Sequence, residues 1–141
     1  MAHMVETMAY AGELPWHGLG VKVIDDLTPE QMMQKAGVDW SVEKQDLVTS
    51  GGSVIKNKQA LVRSSDGSVL DVVGKGWNPV QNADAFNFFE EYVKAGDMQM
   101  HTAGSLDNGK MVWALAKTND SFELFKGDVT ENYFLISNPH Q

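Results

Sequence analysis

The chain has 141 residues, 43% of them hydrophobic and 21% charged, which suits one globular domain with its own core and excludes a disordered segment. It has no cysteine, which excludes disulfides, thiolate zinc sites and cysteine nucleophiles and makes the cytoplasm the expected location. Nineteen acidic residues against eleven basic ones give a net charge of −8, which repels nucleic acid and anionic membranes at long range.

The N-terminal part of the chain shows little periodicity. Residues 1–3 precede a second methionine, Met4, and are interpreted as the remnant of an expression tag. Residues 4–141 are expected to form a single α+β domain. Up to the first predicted helix this domain is rich in glycine and no regular element is assigned. Trp16 and His17 lie here beside a glycine and are candidate contact residues of a loop.

A first helix is predicted over residues 29–36. Thr28 is the expected cap, Pro29 suits the first helical position, and Gln31 completes a capping box with Thr28. Gly37 supplies the left-handed residue that ends the helix.

Three strands of an antiparallel meander are predicted next, over residues 39–49, 54–64 and 68–74. Two glycines separate the first pair, and Asp66 with Gly67 forms a good hairpin turn between the second pair.

A second helix is predicted from Asn82, as its cap, to about Ala95. Phe86, Phe89 and Val93 form one apolar stripe along it. Further strands are predicted over residues 98–102, 110–118, 121–126 and 129–137. The order α-β-β-β-α-β-β-β(β) indicates an α+β fold, an antiparallel sheet meander with two helices on one face.

One stretch departs from the acidic background of the chain. Between residues 44 and 63, four basic residues accompany a single acidic one, Asp46; they are Lys44, Lys56, Lys58 and Arg63. On a regular strand, Lys56 and Lys58 point to one face and Arg63 to the other, unless a bulge intervenes.

An aromatic residue follows this basic stretch. Lys75 lies at the end of the paired strand, and Trp77 comes just after it in a glycine-flanked loop. Basic residues beside an aromatic ring bind a single strand by charge and stacking. The candidate nucleic-acid-binding residues are therefore Lys56, Lys58, Arg63, Lys75 and Trp77. The alternative is a solvated sheet face whose lysines protect an edge.

Nothing in the sequence indicates catalysis. Ser105 and His101 are neighbours along the chain, but no G-x-S-x-G motif accompanies them. His17, His101 and His140 have none of the spacings typical of metal sites. We therefore expect a non-enzymatic protein with no catalytic residue, no intrinsic metal site and no cofactor.

Several runs resemble the phage/plasmid-like protein family, domain of unknown function 932. They are GELPWHGLGVKV at 12–23, LTPEQMMQKAGVDWSVEKQ at 27–45, the long run from ALVRSSDG to EEYVKAGD at 60–97, and TAGSLDNGKMVWALAK at 102–117. The P-W-H-G-L-G and V-G-K-G-W-x-P-V-Q-N-x-x-A-F motifs are the most specific. The resemblance implies a bacteriophage, plasmid or integrated element as the source. Family members are longer, so this chain is expected to be the N-terminal portion of a longer protein or a naturally short relative.

Two hypotheses of function follow. The strand-strand-strand-helix layout at 39–95 is similar to the core of single-strand annealing recombinases, which favours single-stranded DNA binding and annealing in recombination. The second hypothesis is an acidic protein that binds and modulates a host or phage protein, as an inhibitor or a nucleic-acid mimic. Both are compatible with a homo-oligomer, and neither involves a membrane.

Overall fold

The computed structural model describes residues 5–11, 20–23, 27–118 and 133–140. Within these ranges the strands are β1 (Val5–Ala11), β2 (Val21–Val23), β3 (Val42–Val48), β4 (Val54–Arg63), β5 (Val69–Gly74), β6 (Met98–Leu106), β7 (Met111–Thr118) and β8 (Tyr133–Pro139). The helices are α1 (Pro29–Lys35), α2 (Asn82–Asn87) and α3 (Glu90–Lys94). No helix in these ranges is long and apolar enough to cross a membrane.

The strands form two sheets, in the orders β2-β1-β6-β7-β8 and β3-β4-β5. β1 and β2 pair in parallel, and the other pairs are antiparallel. The predicted α+β class with a mostly antiparallel arrangement is confirmed. The sequence did not predict β1 and β2, because β1 pairs with β6, as in Ala9 opposite Ala103, and this long-range partner leaves no local signal.

Helix α1 confirms the predicted helix and its cap. The Thr28 Oγ1 atom accepts from the Gln31 backbone N–H at 3.1 Å, and the Gln31 Oε1 atom accepts from the Thr28 N–H at 3.0 Å. Together these bonds satisfy two backbone donors at the helix start. Gly37 follows the helix with a φ of +73°, the left-handed conformation that glycine adopts without strain.

The three predicted strands of the meander are present as β3, β4 and β5, but β3 begins at Val42. The carbonyl groups of Val38 and Trp40, which precede it, accept from the Asn82 side-chain amide at 3.0 and 3.4 Å. This stretch is therefore bonded to the start of α2. Gly67, with a φ of +74°, makes the predicted turn before β5.

The second predicted helix is divided into α2 and α3, which corrects the single helix from Asn82 to Ala95. Phe88 and Phe89 lie between them, and their N–H groups donate to residues three positions back. This tighter turn brings both rings onto Phe134 of β8, Phe88 stacked at 5.3 Å and Phe89 edge-on at 6.2 Å between centroids. Asn82 is also not the cap, which is Gln81; it is the first helical residue and is buried.

The predicted C-terminal strands are found where the structure describes them. β6 and β7 correspond to the predictions over residues 98–102 and 110–118, and β8 overlaps the prediction over 129–137. The strand predicted over residues 121–126 lies outside the described residues.

One core joins the two sheets and the helices. Helices α1 and α3 lie against β6, and α2 lies against β8. The fully buried large side chains of this core include Met32, Leu61, Phe86, Phe89, Met98 and Met100. The end of the β3–β4 hairpin lies outside the core, because residues 48–58 are all exposed to solvent.

Candidate nucleic-acid interface

A large bulge in β4, four residues opposite one, shapes the exposed end of the three-stranded sheet. Asp46 pairs with Gln59, but the next pair is Val48 with Val54, so residues 55–58 lie opposite Leu47 alone. Asn57 within this bulge has a φ of +66°, and its carbonyl oxygen accepts from the Lys75 N–H at 3.1 Å. The regular alternation that places Lys56 and Lys58 on one face therefore does not apply here.

The bulge instead arranges the lysines around a concavity of about 360 Å³. We call it the lysine cavity; its lining residues are Asp46, Val54, Ile55, Lys56, Asn57, Lys58, Gln59 and Lys75. Three of the five residues predicted to bind nucleic acid thus lie together, namely Lys56, Lys58 and Lys75. All three are exposed to solvent, so a dissolved phosphate can reach them.

Arg63 lies elsewhere and is already paired. Its Nη1 atom donates to both carboxylate oxygens of Glu6, at 2.6 and 2.8 Å, and its Nη2 and Nε atoms donate to Asp66 at 2.6 and 3.2 Å. Hydrogen bonds from Asp66 and Glu6 raise the pKa of Arg63 above its usual value. The Cζ atom of its guanidinium group also lies 5.2 Å from the ring centre of Trp40. With its donors occupied, Arg63 stabilises the fold and does not belong to the lysine cavity.

Trp77 is half-buried and packs against the hydrophobic core. Its ring does not line the lysine cavity, so the structure does not join the predicted stacking residue to the lysines. Its carbonyl oxygen accepts from the Lys44 ammonium group at 3.1 Å, and the Lys75 carbonyl oxygen accepts from the same group at 2.8 Å. Lys44 therefore positions the loop that carries Lys75.

The remaining predicted contact residues, Trp16 and His17, lie outside the described residues. Sequence reasoning missed the part of the cavity that Val54, Ile55 and Gln59 contribute. The only sequence signal for it is that two aliphatic residues directly precede Lys56, and the bulge beside them has no short-range signature.

A buried polar cluster lies near the C-terminal end of β8. His140 is fully buried, and its Nε2 atom is 2.8 Å from the Oδ1 atom of Asn82. The Asn138 amide donates to the same oxygen at 3.2 Å, and the His140 backbone N–H donates to the Lys110 carbonyl at 2.7 Å. Burial lowers the pKa of His140 to about 4, so the ring is neutral at physiological pH. These contacts make His140 a structural residue.

A second groove, of about 430 Å³, lies between α1 and α2 and carries negative charge. Glu30, Asp84 and Glu90 line it, and the buried side chains of Met33 and Phe86 form its floor. In the described part of the chain, no group of three histidine or acidic side chains is arranged to hold a metal ion.

The described residues thus define an α+β protein with a lysine-lined cavity on a small sheet and an acidic groove between helices. The model of the family described as domain of unknown function (DUF932) matches residues 69–141. The chain belongs to this family. The match begins at β5 and includes Lys75, whereas Lys56 and Lys58 precede it. No curated protein and no solved structure matches the chain.

Proposed function

We propose that this protein binds single-stranded DNA at the lysine cavity and takes part in strand annealing during recombination of a phage or plasmid, in the cytoplasm of the host. The observation that carries the proposal is the convergence of Lys56, Lys58 and Lys75 on one concavity. The proposed activity is binding, with no chemical step and no cofactor.

The chemistry of the cavity suits a phosphate backbone. Lysine ammonium groups attract phosphate as point charges, and each phosphate that is neutralised releases condensed counterions. Three lysines predict a slope of roughly −2 in the logarithm of the binding constant against the logarithm of salt concentration. The net charge of −8 opposes long-range attraction, so we expect weak binding that several copies in a homo-oligomer would strengthen.

The proposal is tested by fluorescence anisotropy of a labelled single strand at low and moderate salt. We expect the wild type to bind with the predicted salt dependence, and the variant Lys56→Glu/Lys58→Glu to lose binding at both salt concentrations. The matched control is Lys22→Glu/Lys94→Glu, which changes the net charge by the same amount at two exposed lysines outside the cavity. Binding that survives in the cavity variant, or an absence of binding by the wild type at low salt, would refute the proposal.

The acidic groove favours a second candidate function, binding of a host or phage protein. Glu30, Asp84 and Glu90 would complement the positive charges of a basic segment of the partner. This function becomes the leading one if the wild type binds no single strand at low salt.

A further inference from the structure

The lysine cavity combines three kinds of side chain, two of which a phosphate site alone would not need. Lysines supply positive charge, Val54 and Ile55 supply apolar surface that is 58% and 41% exposed, and Asp46 supplies a carboxylate. A nucleotide has a matching composition, because it joins a charged phosphate to a flat base with polar edges. The volume of about 360 Å³ lies at the lower end of the ~300–1,000 Å³ typical of ligand sites.

Asp46 is the informative member of this set. A carboxylate beside phosphate-binding lysines repels phosphate, so its presence favours a ligand that also donates a hydrogen bond. The Asp46 Oδ1 atom accepts from the Gln59 side-chain amide at 3.1 Å, which orients the carboxylate. The ion pairs found among the described residues are those of Arg63 with Glu6 and with Asp66, so none of the cavity lysines is paired with Asp46.

We propose that the lysine cavity holds one nucleotide of the bound strand, with the base against Val54 and Ile55 and its exocyclic amino group donating to Asp46. This inference rests on the proposed function and adds a base preference to it. Aspartate accepts readily from the amino group of cytosine, and adenine and guanine also carry such a group. Thymine and uracil carry a carbonyl oxygen in place of that amino group, and in the same orientation of the base it would face the carboxylate without a hydrogen bond. Their ring N3–H can donate, but it is flanked by two carbonyl oxygens that the carboxylate repels.

The test compares the affinities for oligo-dC and oligo-dT by anisotropy, at a slightly alkaline pH where cytosine stays unprotonated. We expect the wild type to prefer oligo-dC by roughly tenfold, the lower part of the range for discrimination by a base contact. In Asp46→Asn we expect the preference to fall to about twofold or less, because the new amide donates to the thymine carbonyl and the repulsion of phosphate is removed. The affinity for oligo-dT should therefore rise.

Two further variants separate base contact from charge. Glu43→Gln removes one exposed carboxylate of β3 that does not line the cavity and should keep the full preference. Val54→Ser/Ile55→Ser should weaken binding of both strands and leave the salt dependence unchanged, because the lysines remain. We expect only a small loss of stability, since the two side chains are 58% and 41% exposed and neither belongs to the core.

The outcomes distinguish this inference from the proposed function. Salt-dependent binding by the wild type with no preference for oligo-dC, or a preference that persists in Asp46→Asn, overturns the inference while the proposed function stands. An absence of binding by the wild type to either strand at low salt overturns both. A preference that is lost in Asp46→Asn and kept in Glu43→Gln supports the inference.

Discussion

Gly109 shows how a single residue can be required by side chains far away along the chain. It is buried at the β6–β7 turn with a φ of +93°. A Cβ atom at this position would lie 2.9 Å from the Arg63 Nη1 atom and 3.2 Å from the Trp40 ring. Arginine side chains usually move aside, but this one is fixed by Glu6 and Asp66, so the conflict would persist.

We therefore expect Gly109→Ala to lower the free energy of unfolding by about 2 kcal/mol or more, from backbone strain and displaced neighbours together. Gly52→Ala is the matched control, because Gly52 has a similar φ of +90° and no atom within 4 Å of the added Cβ. The control should lower the free energy of unfolding by about 1 kcal/mol, because it introduces the backbone strain but no collision. Urea denaturation of both variants measures the difference, and equal losses would contradict the role given to Arg63.

At the scale of secondary-structure elements, Arg63 links the two sheets. It lies at the end of β4, while Glu6 belongs to β1 of the other sheet. Glu6 also accepts from the Ser105 hydroxyl of β6 at 2.9 Å, and Ser105 is fully buried. The hydrogen-bond network of Arg63 and Glu6 thus extends to Ser105 inside the larger sheet.

We expect Glu6→Gln to lower the free energy of unfolding by about 1–3 kcal/mol, because it removes a charge-assisted pair that is mostly shielded from water. Glu43→Gln, a change at an exposed glutamate of β3, should alter it by less than about 0.5 kcal/mol. Denaturant midpoints of the two variants compare the contributions directly. Similar midpoints would show that the contact between the sheets does not depend on this pair.

The elements that the sequence predicted correctly are those determined by residues close together along the chain. Thr28 and Gln31 cap α1 through residues three positions apart, and Gly67 makes its own turn. The features that were missed depend on partners remote along the chain. Phe88 ends α2 because of Phe134, and Glu6 holds Arg63 away from the lysine cavity.

At the candidate site, the sequence identified the charges but not their arrangement. Lys56, Lys58 and Lys75 were predicted together and do lie together. Their grouping arises from the bulge at Asn57, a backbone feature that no charge pattern reveals.

For the whole molecule, the buried His140 couples stability to pH. His140 directly follows β8. Its side chain hydrogen-bonds Asn82 at the start of α2, and its backbone N–H donates to the carbonyl of Lys110, just before β7. Its pKa is about 4 in the folded protein and 6.5 for an unperturbed histidine. Between these values the unfolded chain binds a proton that the folded chain does not, so stability falls as the pH falls.

We expect this single group to lower the free energy of unfolding by up to about 1.4 kcal/mol per pH unit as the pH falls from about 6.5 towards 4. Above that range it contributes no pH dependence. His140→Gln keeps a donor for Asn82 but cannot titrate, so its stability should depend less steeply on pH. Urea midpoints of both proteins across this range give the two slopes, and parallel slopes would exclude His140 as the cause.

The bulge in β4 also separates the residues that hold the fold from part of the proposed binding site. Because residues 55–58 lie opposite Leu47 alone and only Asn57 and Lys58 of them bond to β5 and the loop after it, a residue inserted beside Ile55 leaves the pairing from Asp46–Gln59 onward unchanged. Leu61 then keeps its place in the core, so the packing of the sheet against the helices is unchanged. The stretch at Ile55 is therefore a position where the proposed ligand preference could be changed, for example in a designed library, at little cost to the fold.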